Sequence, residues 1–436
     1  MIDILYTVYI EFLGGNMKIK VTEMPYDEVL KLPREKHIKP VKQKAVWRKI
    51  MKLASEGELK ATNFKLETEG MEKLNAGEPA LFLMNHSSFT DLQITSTILA
   101  DRQYHIVMTN DGLIGKASLM RAIGCIPTRK FISDTALVKD MIYAVKELNS
   151  SILMFPEASY SFDGTETPLP DSLGKCIKLL GIPVVMIRTK GAFLRDPLYN
   201  NLQKRKVNVT AKETYLLSSD DVKTMSTSEI NAVLKEAFSY NHFKEQVELG
   251  IMIDEEFRAD GLERALYKCP NCLKEGLMVG KGVRIKCGSC EAEHELLPSG
   301  ELSGVSRDAA FKFVPDWYAW ERECVKKEIE EGTYGLDIPV DIVVLVDTKS
   351  VYKVGSGRLI HNKEGFRLSG CDGKLDFSLS VKKSYSLYAD YFWYEIGDMI
   401  AIGDCEMQYY CFPQVDTPVA KARLATEELY KWDRGL

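Results

Sequence analysis

Leu81-Phe82-Leu83-Met84-Asn85-His86-Ser87-Ser88-Phe89-Thr90-Asp91 is the stretch whose reading decides the fold class of this chain. The apolar run Leu81 to Met84 reads as a buried strand. Leu92, Ile94, Ile98 and Leu99 continue as a helix that Ser87 and Ser88 are placed to cap. His86 then stands at the carboxyl end of a strand, where open α/β sheets collect their ligands, and Asp91 stands on the first turns of the helix. An imidazole becomes a useful general base at neutral pH when a carboxylate fixes its tautomer and stabilises its protonated form. A lone His near an Asp is more often a satisfied structural group, so the pair needs a second signal.

That signal is Phe155-Pro156-Glu157-Ala158-Ser159-Tyr160-Ser161, which follows the strand-like Ser151 to Met154. Two further blocks stand in order with it. Lys116-Ala117-Ser118-Leu119 leads to Gly124-Cys125-Ile126-Pro127-Thr128-Arg129-Lys130, and Ile182 to Ile187 makes an apolar strand. Across residues 81 to 187 these blocks resemble the PlsC-type glycerolipid acyltransferases, whose hallmarks are NHxxxxD and FPEG followed by Thr or Ser.

The resemblance implies an α/β sheet flanked by helices that moves a fatty acyl chain from acyl-CoA or acyl-ACP to a lysophospholipid, 1-acylglycerol 3-phosphate first among them. His86 is then the base and Asp91 its orienting partner. Arg129 and Lys130 take the acceptor's phosphate, and Glu157 orders that site through the phosphate-binding residues or a glycerol hydroxyl. Lys116 aids the thioester oxyanion, and Ser159 contributes hydrogen bonds. The hydroxyl attacks the thioester directly once both are held in line, so Ser87, Ser88 and Ser159 are not nucleophiles. Three positions depart from the pattern: Ala158 replaces the usual glycine, Tyr160 replaces a basic residue, and Lys130 stands where the family has arginine. All three fall where the acceptor headgroup is recognised.

Around these blocks, strand-like runs at 81–84, 105–108, 125–127, 151–155, 183–188 and 207–217 alternate with helical stretches such as 134–149 and 172–181. Asp171 and Ser172 are placed to cap the latter. This gives an acyltransferase domain over residues 61–255, closed by a helix around Asn231 to Tyr240.

Cys269-Pro270-Asn271-Cys272 and Cys287-Gly288-Ser289-Cys290 define a second unit, residues 256–300. Two CxxC pairs at this spacing form two knuckles able to close a tetrahedral, structural Zn²⁺ site with no open position for catalysis. Zinc ribbons also bind nucleic acid, but no aromatic residue for base stacking lies between the knuckles, and Glu291, Glu293 and Glu295 follow directly. The ribbon therefore reads as a bracing or interaction element, with no nucleic-acid partner.

Residues 301–436 read as a helix, many short antiparallel strands and a terminal helix, a pattern similar to pleckstrin-homology-like domains. From residue 315 onward Lys and Arg number 15 against 21 Asp and Glu, a poor balance for binding anionic headgroups. The unit is expected to bind a protein, acyl carrier protein included, or a face of its own enzyme.

The net charge of −5 excludes a generally polybasic protein. Within the N-terminal extension, residues 1–60, Ile2 to Leu13 is too short to cross a membrane, and Met17 reads as a natural start that leaves residues 1–16 dispensable. Val46, Trp47, Ile50, Met51 and Leu53 form an apolar stripe among Lys42, Lys44, Arg48, Lys49 and Lys52. Such a helix either lies in a lipid interface or buries its stripe in the core. The expected location is the cytoplasm, peripheral to the inner face of the membrane. Two other functions remain open: transfer to a different hydroxyl acceptor, and a non-catalytic lipid-binding regulator built on the zinc ribbon.

Overall fold

The structure, a computed structural model, describes residues 18–132, 134–305 and 307–435. The expected start at Met17 and the dispensable segment before it lie outside the described residues. Three sheets organise the chain.

The first sheet has the strand order β2-β8-β7-β3-β6-β4-β5, with β2 at Lys65–Glu69, β3 at Leu81–Met84, β4 at Tyr104–Thr109 and β5 at Cys125–Thr128. The remaining strands are β6 at Ser151–Met154, β7 at Val184–Lys190 and β8 at Thr210–Leu217. β3 runs parallel to both of its neighbours, β6 and β7. It is buried on both faces, which is why Leu81 to Met84 is uninterrupted apolar sequence rather than alternating. Only β7 and β8 pair antiparallel, so β8 and β2 run against the rest. Helices Thr90–Ile98, Thr135–Lys146 and Leu173–Leu180 cover the sheet, close to the boundaries read from the sequence.

Helix Ala45–Ala61 packs on Thr90–Ile98, and its stripe is divided. Met51 is buried and Trp47 and Ile50 are half-buried against the sheet, whereas Val46 and Leu53 are exposed beside Lys49 and Lys52. Among the described residues no helix is long and apolar enough to cross a membrane.

The second sheet is small, with order β12-β11-β10-β9. Its strands are β9 (Met278–Lys281), β10 (Arg284–Cys287), β11 (Glu293–Leu296) and β12 (Leu302–Gly304); the first knuckle precedes β9 and the second begins at the end of β10. Helix Val314–Glu330 braces it: Trp317 is fully buried and donates from Nε1 to the Lys268 carbonyl at 2.9 Å, while Glu321 accepts the Lys268 N–H at 2.7 Å.

The third sheet has the order β16-β15-β14-β13-β19-β18-β17 and is antiparallel throughout that path. Its strands are β13 (Leu336–Leu345), β14 (Val351–Asn362), β15 (Gly365–Gly370), β16 (Leu375–Ser380), β17 (Tyr388–Trp393), β18 (Gly397–Gly403) and β19 (Gln408–Pro413). β14 is long and continuous, where the sequence suggested only short strands. Helix Val419–Arg434 follows. A strand from the chain's beginning, β1 (Val21–Glu23), joins this sheet parallel to β14. One hydrophobic core runs from Phe162, Phe193 and Phe243 through Ile285 of the ribbon and Trp317 to Ile400 of the last sheet.

Candidate active site

His86 lies in the loop between β3 and helix Thr90–Ile98, and the loop is built around a single oxygen. Asp91 Oδ2 accepts the backbone N–H of Ser87 at 2.8 Å and of Ser88 at 3.1 Å, and stands 3.1 Å from His86 Nδ1. With Asp91 ionised its oxygen can only accept, so Nδ1 carries the hydrogen and Nε2 keeps its lone pair for a substrate proton. The carboxylate also sits where the helix N-terminus favours negative charge. Asn85 ties this loop to β7, accepting the Thr189 N–H at 2.9 Å and donating to Ser87 Oγ at 2.8 Å.

The expected cap is shared differently. Ser88 Oγ accepts the Thr90 N–H at 2.9 Å, but Ser87 Oγ stands 3.1 Å from His242 Nε2, whose Nδ1 faces Glu245 at 3.4 Å. Ser87 is thus drawn into a buried side-chain chain instead of capping the helix. Ser172 likewise caps nothing with its side chain, and the carboxylate of Asp171 faces Arg434 at 3.4 Å.

The imidazole is clamped between rings, with Phe155 at 4.4 Å and Tyr160 at 4.0 Å between centroids. Burial, aided by the positive charge of Lys130, holds His86 well below the usual histidine range, so the ring is neutral and able to accept a proton. Burial also pushes Asp91 up to about 7 against the pull of the Ser87 and Ser88 N–H groups.

Glu157 turns both of its oxygens to the protein. Its Oε2 accepts the His86 N–H at 2.7 Å, and its Oε1 accepts from Thr167 N–H at 2.9 Å and Tyr240 O–H at 2.8 Å. It is fully buried, and burial raises its carboxyl to about 7. Contrary to the expectation of bonds to phosphate-binding residues or a glycerol hydroxyl, both oxygens are spent on holding the two motif loops together. Ser159 is also buried, and its hydroxyl donates to the Tyr160 carbonyl at 3.3 Å. The left-handed backbone that the family's glycine would provide is present at Ala158, with φ of 58°.

In front of His86 opens a cavity of about 830 Å³. Met108, Met120, Ile123 and Ile106 give it an apolar arm, and Arg129 and Lys130 line it at the end of β5. Lys116 and Ser159, expected at the substrate, are not on its wall. Burial lowers Lys116 to about 8. The far wall belongs to the last sheet and helix, through Tyr388, Asp390, Trp393 and Arg434. Tyr388 O–H and Trp393 Nε1–H both donate to Asp111 Oδ2, at 3.0 and 3.2 Å, and the Gly115 N–H donates to the Thr348 carbonyl at 2.7 Å. The C-terminal unit therefore docks on a face of its own enzyme, one of the two roles its charge balance suggested. Sequence reasoning missed Asp111, Tyr240, His242, Tyr388 and Asp390, since none of them sits in a recognisable local pattern.

The four cysteines converge as the spacing requires. Their sulfurs all lie within 4.8 Å of one another, with Cys269 to Cys290 at 3.6 Å and Cys272 to Cys287 at 3.8 Å. A tetrahedron with Zn–S bonds of about 2.3 Å has edges of about 3.8 Å, so the set fits Zn²⁺. The knuckles repeat one geometry: Leu273 and Glu291, each just after the second cysteine, are left-handed at φ 61° and 58°. Their N–H groups bond to the carbonyls of Cys269 and Cys287, at 2.9 and 3.0 Å.

Residues 65–190 match the model of the Acyltransferase family, and this stretch is an acyltransferase domain. No curated protein matches the chain. Among solved structures, the chain is similar to the 1-acyl-sn-glycerophosphate (LPA) acyltransferase PlsC from Thermotoga maritima, at 16% identity and a TM-score of 0.35. The match covers 55% of this chain and 95% of that one.

Proposed function

We propose that this chain transfers a fatty acyl group from a CoA or acyl carrier protein thioester to a free hydroxyl of a glycerol-based lysolipid, with residues 61–255 as the catalytic unit. The motif order by itself implies 1-acylglycerol 3-phosphate as the acceptor. The observation that carries the reading is the His86–Asp91 contact at 3.1 Å, opening on a cavity with an apolar arm. In the proposed step the acceptor oxygen bonds to the thioester carbon while its proton passes to His86 Nε2, and collapse of the adduct breaks the carbon–sulfur bond and expels the thiolate, which takes that proton from His86 and leaves as free thiol. Asp91 holds the Nδ1–H tautomer and stabilises the imidazolium. The apolar arm suits an acyl chain.

In this reading a structural Zn²⁺ held by Cys269, Cys272, Cys287 and Cys290 supplies rigidity alone, and the ribbon braces the catalytic and C-terminal units. The exposed face of helix Ala45–Ala61, with Val46, Leu53, Lys49 and Lys52, supports contact with a membrane surface at the cytoplasmic side.

The test is release of free thiol by purified protein supplied with acyl-CoA or acyl-ACP and a panel of lysolipids. Thiol release that depends on the acceptor, with matching acyl product, is expected. Protein that binds lipid but releases no thiol with any donor and acceptor would favour the non-catalytic regulator.

A further inference from the structure

Lys130 was expected to meet the acceptor's phosphate, yet the protein itself surrounds it. Its ammonium lies over the Tyr388 ring, 3.9 Å from the centroid, and the carboxylates that act on it are Asp390 and Asp111. Tyr388 and Asp390 are two residues apart on β17 and so share one face of the strand. The opposite face, Ala389 and Tyr391, is buried in the core.

The placement of Asp390 is over-determined. Asp390 pairs with Met399 in the last regular step before a register shift that runs to Trp393, and Phe392 within the shift is left-handed at φ 52°. A bulge of this kind re-aims side chains, and a left-handed phenylalanine persists only where its surroundings hold it. Here the extra residue brings Trp393 to the face of Tyr388, so both rings grip Asp111 while Asp390 stands on the cavity wall between them in sequence. Arg129 is also on the wall. Lys130 thus shares this wall with a carboxylate of the protein, Asp390.

We propose that Asp390 selects the acceptor headgroup: it disfavours a phosphomonoester beside Lys130 and takes instead an uncharged, hydroxyl-bearing headgroup as its hydrogen-bond donor. This rests on the acyl-transfer reading above and changes only its headgroup. A hydroxyl can donate to Asp390 and accept from Lys130, whereas a phosphate dianion would stand beside a carboxylate already placed on the same wall.

The test compares acyl transfer to 1-acylglycerol 3-phosphate and to uncharged monoacylglycerol, using wild-type protein and Asp390→Asn. Wild type is expected to favour the uncharged acceptor in kcat/KM. In Asp390→Asn, KM for the uncharged acceptor should rise about tenfold and KM for the phosphate-bearing one should fall, with the donor's KM unchanged. Opposite shifts for two acceptors cannot come from a general loss of folded protein. The wild-type comparison needs no variant and decides the matter even where Asp390→Asn fails to fold. A wild-type preference for the phosphate-bearing acceptor overturns the proposal while leaving acyl transfer standing. Transfer to neither acceptor, nor to any other hydroxyl lipid, overturns the acyl-transfer reading and the proposal with it.

Discussion

The zinc ribbon takes its four sulfurs from residues 269–290, whereas the cavity before His86 takes its walls from residues as far apart as Met51 and Arg434. In the ribbon each CxxC closes its own turn, and the second knuckle repeats the first down to the left-handed residue that follows it. In the cavity one side, His86 with Asp91, is as local as a knuckle, but the opposing side comes from a strand about 300 residues further along the chain. Local geometry is written in residue types at fixed offsets, because short loops have few ways to satisfy their backbone groups. A distant wall is written in the packing of whole units, which no offset encodes.

If the ribbon is a closed local device, removing its metal should have the largest effect. Structural zinc sites contribute on the order of 10 kcal/mol to the folding of their domains. Protein prepared without chelator should carry one Zn²⁺ per chain, and chelation or Cys272→Ser should abolish hydrogen-exchange protection across residues 269–290 before the β2–β8 sheet opens. Metal analysis finding no zinc in such protein would end this half of the comparison.

The His86 side of the cavity is tested next. His86→Ala should lower kcat by about 10² to 10⁴, the usual share of a positioned base, with a smaller change in donor affinity. Asp91→Asn should follow it in direction, since the imidazole loses the partner that fixes its tautomer. Turnover near that of wild type in a folded His86→Ala protein would remove His86 from the chemistry.

A smaller effect should sharpen the non-local half. Tyr388→Phe keeps the ring over Lys130 but deletes the O–H bond to Asp111, and should cost about 1–3 kcal/mol in denaturant unfolding while raising the acceptor's KM more than it lowers kcat. An unchanged KM would mean that the C-terminal wall does not touch the acceptor. The least effect belongs to Ala158, whose left-handed backbone suits glycine. Ala158→Gly should stabilise the fold by about 1 kcal/mol or less, read as a higher denaturation midpoint, because relief of strain is partly offset by glycine's greater freedom in the unfolded chain.

The apolar run Leu81 to Met84, the spacing of His86 and Asp91, the Phe155-Pro156-Glu157 block and the CxxC pairs were enough by themselves to define an α/β acyltransferase domain with a four-cysteine ribbon. Each is a short segment whose backbone must turn, cap or extend within a few residues, so its chemistry and its geometry share one stretch of sequence. What the sequence could not carry was direction. No local pattern tells that Glu157 gives one oxygen to Thr167 and Tyr240, or that the Lys130 ammonium lies over the Tyr388 ring. Only the tertiary structure decided these, because a side chain's partner is fixed by which surfaces are buried against each other, and burial joins residues that the chain keeps far apart.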